Sequence, residues 1–185
     1  VDAARHRPGG DDRSRRSRSV TDAGERTAIW ADVDTGVDDA LALLYLVRSP
    51  RVELVGVSAV AGNVSVEQAA RNTLAVLDAD GADAVPVHLG ASKPLLGSAR
   101  DATGFHGAAG LGATVPPPSD RRPHDVAALD ALRRAVSARP GEITLLALGP
   151  LTTVAQFVSG FPEEAALLRG IIAMTGAVAG GNATA

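Results

Sequence analysis

The sequence contains no cysteine. That excludes a disulfide framework, a thiolate metal site and a cysteine nucleophile together. Aromatic residues are only 3% of the 185, which removes most of the stacking platforms that hold single-stranded nucleic acids. Lysine is nearly missing too: Lys93 is the only one, and arginine supplies the rest of the positive charge. A net charge of -3 and a pI near 5.8 argue further against a nucleic-acid partner. No apolar run approaches the roughly 20 residues that span a bilayer, so no membrane partner and a cytoplasmic location are expected.

What is present is ordinary globular composition, with 45% hydrophobic and 21% charged residues. The length suits one domain with a real core and is too short for two large ones. The charge is uneven. Residues 1–27 carry seven of the 18 basic residues and five of the 21 acidic ones, with almost no apolar residues and no periodicity. This stretch is expected to be a disordered Arg-rich tail, with the folded domain over 28–185. A signal peptide does not fit, because the polar SVTDAGER (19–26) stands where an apolar stretch would follow the basic run.

Within the body, strand and helix patterns alternate. AIWADV (28–33) reads as a strand, and DDALALLYLVR (38–48) as a largely buried helix stopped by Ser49-Pro50. The β-branched VELVGVSAV (52–60) reads as a second strand. Ser65 with Gln68 is a capping-box pattern that opens a helix to about Asp78. VPVHL (85–89) is a third strand, and 90–125 is a long Gly- and Pro-rich loop of the kind that is usually functional. A helix over 126–139, a strand over 143–148, a helix through Phe157, a short helix over 162–168 and a last strand over 170–174 complete the pattern. Nearly continuous apolar strands between helices predict an open, doubly wound, mainly parallel α/β sheet with helices on both faces. Ligands of such sheets sit beyond the carboxyl ends of the strands. No internal repeat is present.

The first strand ends in an acidic turn, Asp32-Val33-Asp34-Thr35-Gly36-Val37-Asp38-Asp39. Two unit charges 4 Å apart repel by about 4 kcal/mol at an effective dielectric near 20. Carboxylates converging on one pocket therefore need a cation, or some must be protonated. Hard oxygen ligands without a nearby thiolate suit Ca²⁺ or Mg²⁺, and Ca²⁺ tolerates the less regular coordination. Helix capping accounts for Asp38 and Asp39 at a helix start, but not for Asp32 and Asp34 on the preceding strand end. An EF-hand is a poor match, since Leu43 stands where its bidentate Glu belongs.

The run DVDTGVDDALAL followed by AVAGNVSVEQAARNTLAVL resembles the inosine–uridine nucleoside hydrolases. KPL (93–95), GFHG with Gly110, LLALGPLT (145–152) and MTGAVAGGNAT (174–184) match the same family in the same order. The resemblance implies a Ca²⁺-dependent hydrolysis of the N-glycosidic bond of a small ribonucleoside, by a homo-oligomer. It implies that Asp34 and Asp39 bind Ca²⁺, with the backbone carbonyl of Leu148 as a further ligand. Asp38 would be the general base that deprotonates the attacking water, and Asp32 a supporting group behind the ligands. Asn63 and Asn182 would hold the ribose, and His106 would lie near the nucleobase. From the residues alone, Asn63 after Gly62 is equally a turn former, and His88 and His124 are structural or solvated.

Two departures are mild: Met174-Thr175-Gly176 replaces the usual Met-Gly-Gly, and Thr153 replaces a common asparagine. A third is larger. Family members continue with a segment that carries another metal-binding aspartate, a histidine near the leaving base and further ribose-binding groups, and none of these is assignable here. The expectation is therefore an N-terminal part of the family fold, truncated at its C-terminal side, with weak Ca²⁺ binding and impaired activity on its own. Two other readings remain open: a non-catalytic nucleoside-binding fragment, and a haloacid-dehalogenase-like phosphatase. In the second, Gly36 and the adjacent Asp38-Asp39 pair have no place.

Overall fold

The computed structural model describes residues 26–98, 103–114 and 116–176. Most of the expected tail over residues 1–27, and Asn182, lie outside the described residues. Among the described residues five strands form one sheet: β1 (Thr27–Val33), β2 (Val52–Ala59), β3 (Val87–Leu89), β4 (Ile143–Ala147) and β5 (Gly170–Ala173). Every pairing is parallel, and the spatial order is β3-β2-β1-β4-β5. The chain winds outward from β1 through β2 to β3, then crosses back to lay β4 on the other side of β1. The strand order thus reverses between β1 and β4, which is where a doubly wound sheet opens a crevice at its carboxyl ends.

The helices are α1 (Val37–Arg48), α2 (Val66–Ala79), α3 (Thr103–His106), α4 (Ala128–Ala138), α5 (Thr152–Gly160) and α6 (Pro162–Ala165). Side chains alternate across β1. Ala31 and Val33 join Leu43, Leu46, Leu74 and Leu77 in the core under α1 and α2. Ala28 and Trp30 join Leu132, Val136, Val154 and Phe157 in the core under α4 and α5. The middle of the sheet is therefore buried on both faces, as its apolar strands require, whereas the edge strand β5 leaves Ile171 and Ile172 exposed. Trp30 is a core residue, and its indole N–H donates to the Ser58 hydroxyl at 2.7 Å.

Two boundaries that differ from the sequence reading have a clear cause, one covalent and one tertiary. β3 starts at Val87, not Val85, because Pro86 has no N–H to offer the ladder; its carbonyl still accepts from Val57 N–H at 2.9 Å. α4 starts at Ala128, not Val126, because the Val126 carbonyl is held by His88 Nδ1 at 2.8 Å. His88 itself is buried and stacks on Trp30, with ring centroids 5.7 Å apart. Burial pushes its imidazole pKa down from the ordinary value, outweighing the Val126 carbonyl. The long loop is not structureless either: the four residues of α3 interrupt it and carry His106.

Candidate active site

The acidic turn runs from the carboxyl end of β1 into the first turn of α1. Asp32 is the last β1 residue but one and is 1% exposed. It pairs in register with Ser58 of β2 and Ala147 of β4, so it lies between two neighbours in the middle of the sheet. Neither of its carboxyl oxygens has a well-formed hydrogen bond. Burial pushes its pKa up to about 8; the Ser58 hydroxyl pulls the other way, while Asp34 and Asp39 add to the rise.

Asp34 follows the strand and is also buried. Its Oδ2 accepts from the backbone N–H of Asn63 at 2.7 Å. The β2–α2 turn comes this close because residue 62 is glycine: a Cβ there would sit 2.0 Å from Asp34 Oδ2 and 2.7 Å from Pro150 Cδ. Asp39 reaches back to accept from Gly36 N–H at 2.9 Å through Oδ2, the acidic half of a capping box. Asn63 Nδ2 approaches the same oxygen at 3.5 Å. Capping therefore employs one oxygen of Asp39 and leaves Oδ1 buried without a partner. Burial, followed by the charge of Asp34, pushes the Asp39 pKa up to about 7. Burial likewise raises Asp34, against the pull of the Asn63 N–H.

Asp38 differs from the other three. Its side chain is 60% exposed at the rim. His106 Nδ1 stands 4.0 Å from its Oδ1, beyond hydrogen-bond range. The same nitrogen accepts from the backbone N–H of Val37 at 3.4 Å, so the imidazole rests on the N-terminus of α1. Gly36 makes room for it: a Cβ there would lie 2.7 Å from His106 Nδ1 and 2.5 Å from Asn63 Nδ2. Leu148 follows β4 on the other side of the crevice, and its N–H donates to the Asp32 carbonyl at 2.8 Å.

Asp32, Asp34, Asp39 and Asn63 thus come together, Asp38 and His106 form the rim, and Leu148 adjoins through backbone. Buried carboxyl oxygens without partners are what a hard cation satisfies, so the donor chemistry suits a hard divalent cation. The set is short, however. Among the described residues no group of three His, Cys, Asp or Glu side chains converges as a metal site.

A sequence model of inosine-uridine preferring nucleoside hydrolases matches residues 29–185. The chain belongs to this family. The non-specific ribonucleoside hydrolase RihC of Escherichia coli is 38% identical over 159 residues, which cover 86% of this chain and 52% of RihC. Among solved structures, a plant nucleoside hydrolase superposes with a TM-score of 0.78 at 39% identity, covering 82% of this chain and 48% of that one. The purine-preferring ribonucleoside hydrolase of Gardnerella vaginalis gives the same TM-score at 33% identity, covering 81% of this chain and 49% of that one. The chain spans about half the length of the curated relatives it matches. The parallel α/β sheet with helices on both faces is the nucleoside hydrolase fold, as the sequence predicts.

Reading the sequence missed two buried polar residues of α2, Asn72 and Thr73, that hold Thr35 of the acidic turn. Thr35 is fully buried, and its hydroxyl meets that of Thr73 at 2.6 Å. Asn72 donates to the Thr35 carbonyl at 3.1 Å. The available signal was the Asn72-Thr73 pair directly before the apolar run Leu74 to Leu77 of α2.

Proposed function

We propose that this protein takes part in Ca²⁺-dependent hydrolysis of the N-glycosidic bond of ribonucleosides, giving ribose and free base. The observation that carries this reading is the pair Asp34 and Asp39, buried side by side at the switch point with an Asp39 oxygen left bare. Asp34, Asp39 and the Leu148 carbonyl would hold the ion. When bound, Ca²⁺ supplies a Lewis acid that orients the ribose diol and lowers the pKa of a water.

The remaining chemistry belongs to the chain. Asp38, reachable at the rim, takes the proton of the attacking water on a carboxylate oxygen. The water oxygen bonds to the anomeric carbon as the C–N bond breaks with its electron pair on the base nitrogen, which takes a proton from solvent to leave as free base, and the positive charge that develops on the sugar is stabilised by the anionic cluster. Asp32 stands behind the ligands, and its burial keeps solvent from their far side. Asn63 and Asn182 bind ribose hydroxyls, which disfavours a free base that would leave them unpaired. His106 lies on the side where the base would sit. The same reading makes the protein a cytoplasmic homo-oligomer of nucleoside catabolism and salvage, acting on a small ribonucleoside. Among the described residues no helix is long and apolar enough to cross a membrane.

The 185 residues alone should turn over poorly. Ca²⁺ takes six to eight oxygens, and the described side chains offer two carboxylates toward it. The test is calorimetry with Ca²⁺ and an assay of ribose release from inosine and uridine. Weak Ca²⁺ binding that vanishes in Asp34→Asn and Asp39→Asn is the expected result, with little turnover. Robust turnover would sink the impairment, and turnover that survives Asp38→Ala would move the base to another residue. No binding of Ca²⁺ at millimolar concentration would remove the cation site.

A further inference from the structure

Asn72 has no part in the function proposed above, yet it is the best-connected polar side chain near the site. It stands in the middle of α2 and is 5% exposed. A side-chain amide has two N–H donors, and both are engaged. One goes to the Thr35 carbonyl at 3.1 Å and the other to the Ala109 carbonyl at 2.8 Å. Its Oδ1 accepts from Gln68 Nε2 at 2.8 Å, one helical turn back, which fixes the orientation of the amide.

The two carbonyls lie in different parts of the site. Thr35 stands between Asp34 and Gly36 in the acidic turn. Ala109 stands in the loop that carries His106, and that loop is closed by Gly112 N–H donating to the His106 carbonyl at 2.6 Å. α2 also grips the acidic turn a second time, through the Thr73 and Thr35 hydroxyls, with Thr73 Oγ1 hydrogen-bonded to the Ala69 carbonyl at 2.8 Å. The direct contact between loop and turn is weaker: the 3.4 Å approach of Val37 N–H to His106 Nδ1. Gly110 and the buried Leu111 add packing on this side, and the polar tie that holds the histidine loop to the aspartates is one amide reaching both.

We propose that Asn72 is a positioning residue of the active site: its amide clamps the His106 loop onto the acidic turn and so sets the spacing between the carboxylates and the imidazole. The clamp is a matter of geometry; its bearing on nucleoside binding rests on the function proposed above. A nucleoside spanning that gap would have its ribose at the carboxylates and its base at the imidazole. Alanine leaves the carbonyl of the fully buried Thr35 without this partner and cuts the tie to the exposed Ala109, so the loop is free to lift.

Hydrogen exchange on the full chain tests the clamp without cation or nucleoside. Asn72→Ala should speed exchange of the Val37 and Gly112 amides by about ten-fold, the change expected from about 1.4 kcal/mol of lost local protection, within the range for a buried hydrogen bond. Leu74→Ala is the control, since Leu74 is buried on the same helix in the core under α1 and α2. It should lower the melting temperature at least as far and leave both amides within about two-fold of parent, beyond what global unfolding contributes. Equal acceleration in Leu74→Ala, or parent rates in Asn72→Ala, overturns the clamp. If Asn72→Ala does not fold, Asn72→Ser is read in the same way. Inosine affinity in the presence of Ca²⁺ should fall about ten-fold in Asn72→Ala; an unchanged affinity overturns the positioning role. A parent chain that binds no inosine counts against the hydrolase reading, and exchange then decides the clamp alone.

Discussion

Gly62→Ala puts the closest approach in the site under direct strain. The new methyl would lie 2.0 Å from Asp34 Oδ2, 2.8 Å from Asp34 Cγ and 2.7 Å from Pro150 Cδ. Ordinary contact needs 3.4 Å or more, so the carboxylate or the turn must withdraw by more than an ångström. Either movement breaks the 2.7 Å hydrogen bond from Asn63 N–H to Asp34. Overpacking costs about 1–3 kcal/mol, and the part-buried Asn63 N–H left unpaired costs about 1 kcal/mol more. The sum is about 2–4 kcal/mol, which for a domain of this size lowers the melting temperature by roughly 4–16 °C. Thermal denaturation by circular dichroism, with and without Ca²⁺, is the assay, and any Ca²⁺-induced rise seen in the parent should be lost. Gly160→Ala is the control: it makes the same chemical change at the end of α5, where a Cβ meets nothing within 4 Å and φ is not positive. It should stabilise by about 0.4–1 kcal/mol. If Gly62→Ala melts with the parent and keeps its Ca²⁺ response, the close approach of the β2–α2 turn to Asp34 does not exist.

Stability without cation should fall as pH rises from 5 to 8. Asp32 is held at about 8 in the folded chain against an ordinary 3.8, so over this range the folded state keeps a proton that the unfolded chain has released. Asp39, raised to about 7, acts with the same sign. Asp32→Asn should flatten the slope and gain at least about 1 kcal/mol at pH 8, less than one pKa unit's worth of relieved strain. Urea denaturation at several pH values measures this, and a parent whose stability rises over that range would refute it. Phe157→Ala should cost about 3–5 kcal/mol, because Phe157 is fully buried between the sheet and α4. A loss under 1 kcal/mol, read from the same denaturation curves, would mean that this core is not packed as described.

Much of the architecture was legible before any tertiary information. The apolar run after Gly36, the β-branched stretch from Val52 and the Ser65–Gln68 cap each specify an element through neighbours in the chain, and α1, β2 and α2 formed where those signals lay. The acidic turn was legible for the same reason: four carboxylates in eight residues need no fold to be conspicuous. Only the tertiary structure decided what each carboxylate experiences. Asp32 and Asp38 look alike in sequence, but one is walled in by β2 and β4 while the other stands at the rim. Likewise the bare Asp39 oxygen, the delayed start of α4 and the amide of Asn72 between Thr35 and Ala109 all depend on partners that the chain brings in from far away. Local conformational preference is set by covalent neighbours, whereas desolvation and hydrogen-bond partners are set by which elements stack. A carboxyl group's proton affinity depends on water that distant segments remove, and no stretch of sequence around it records that removal.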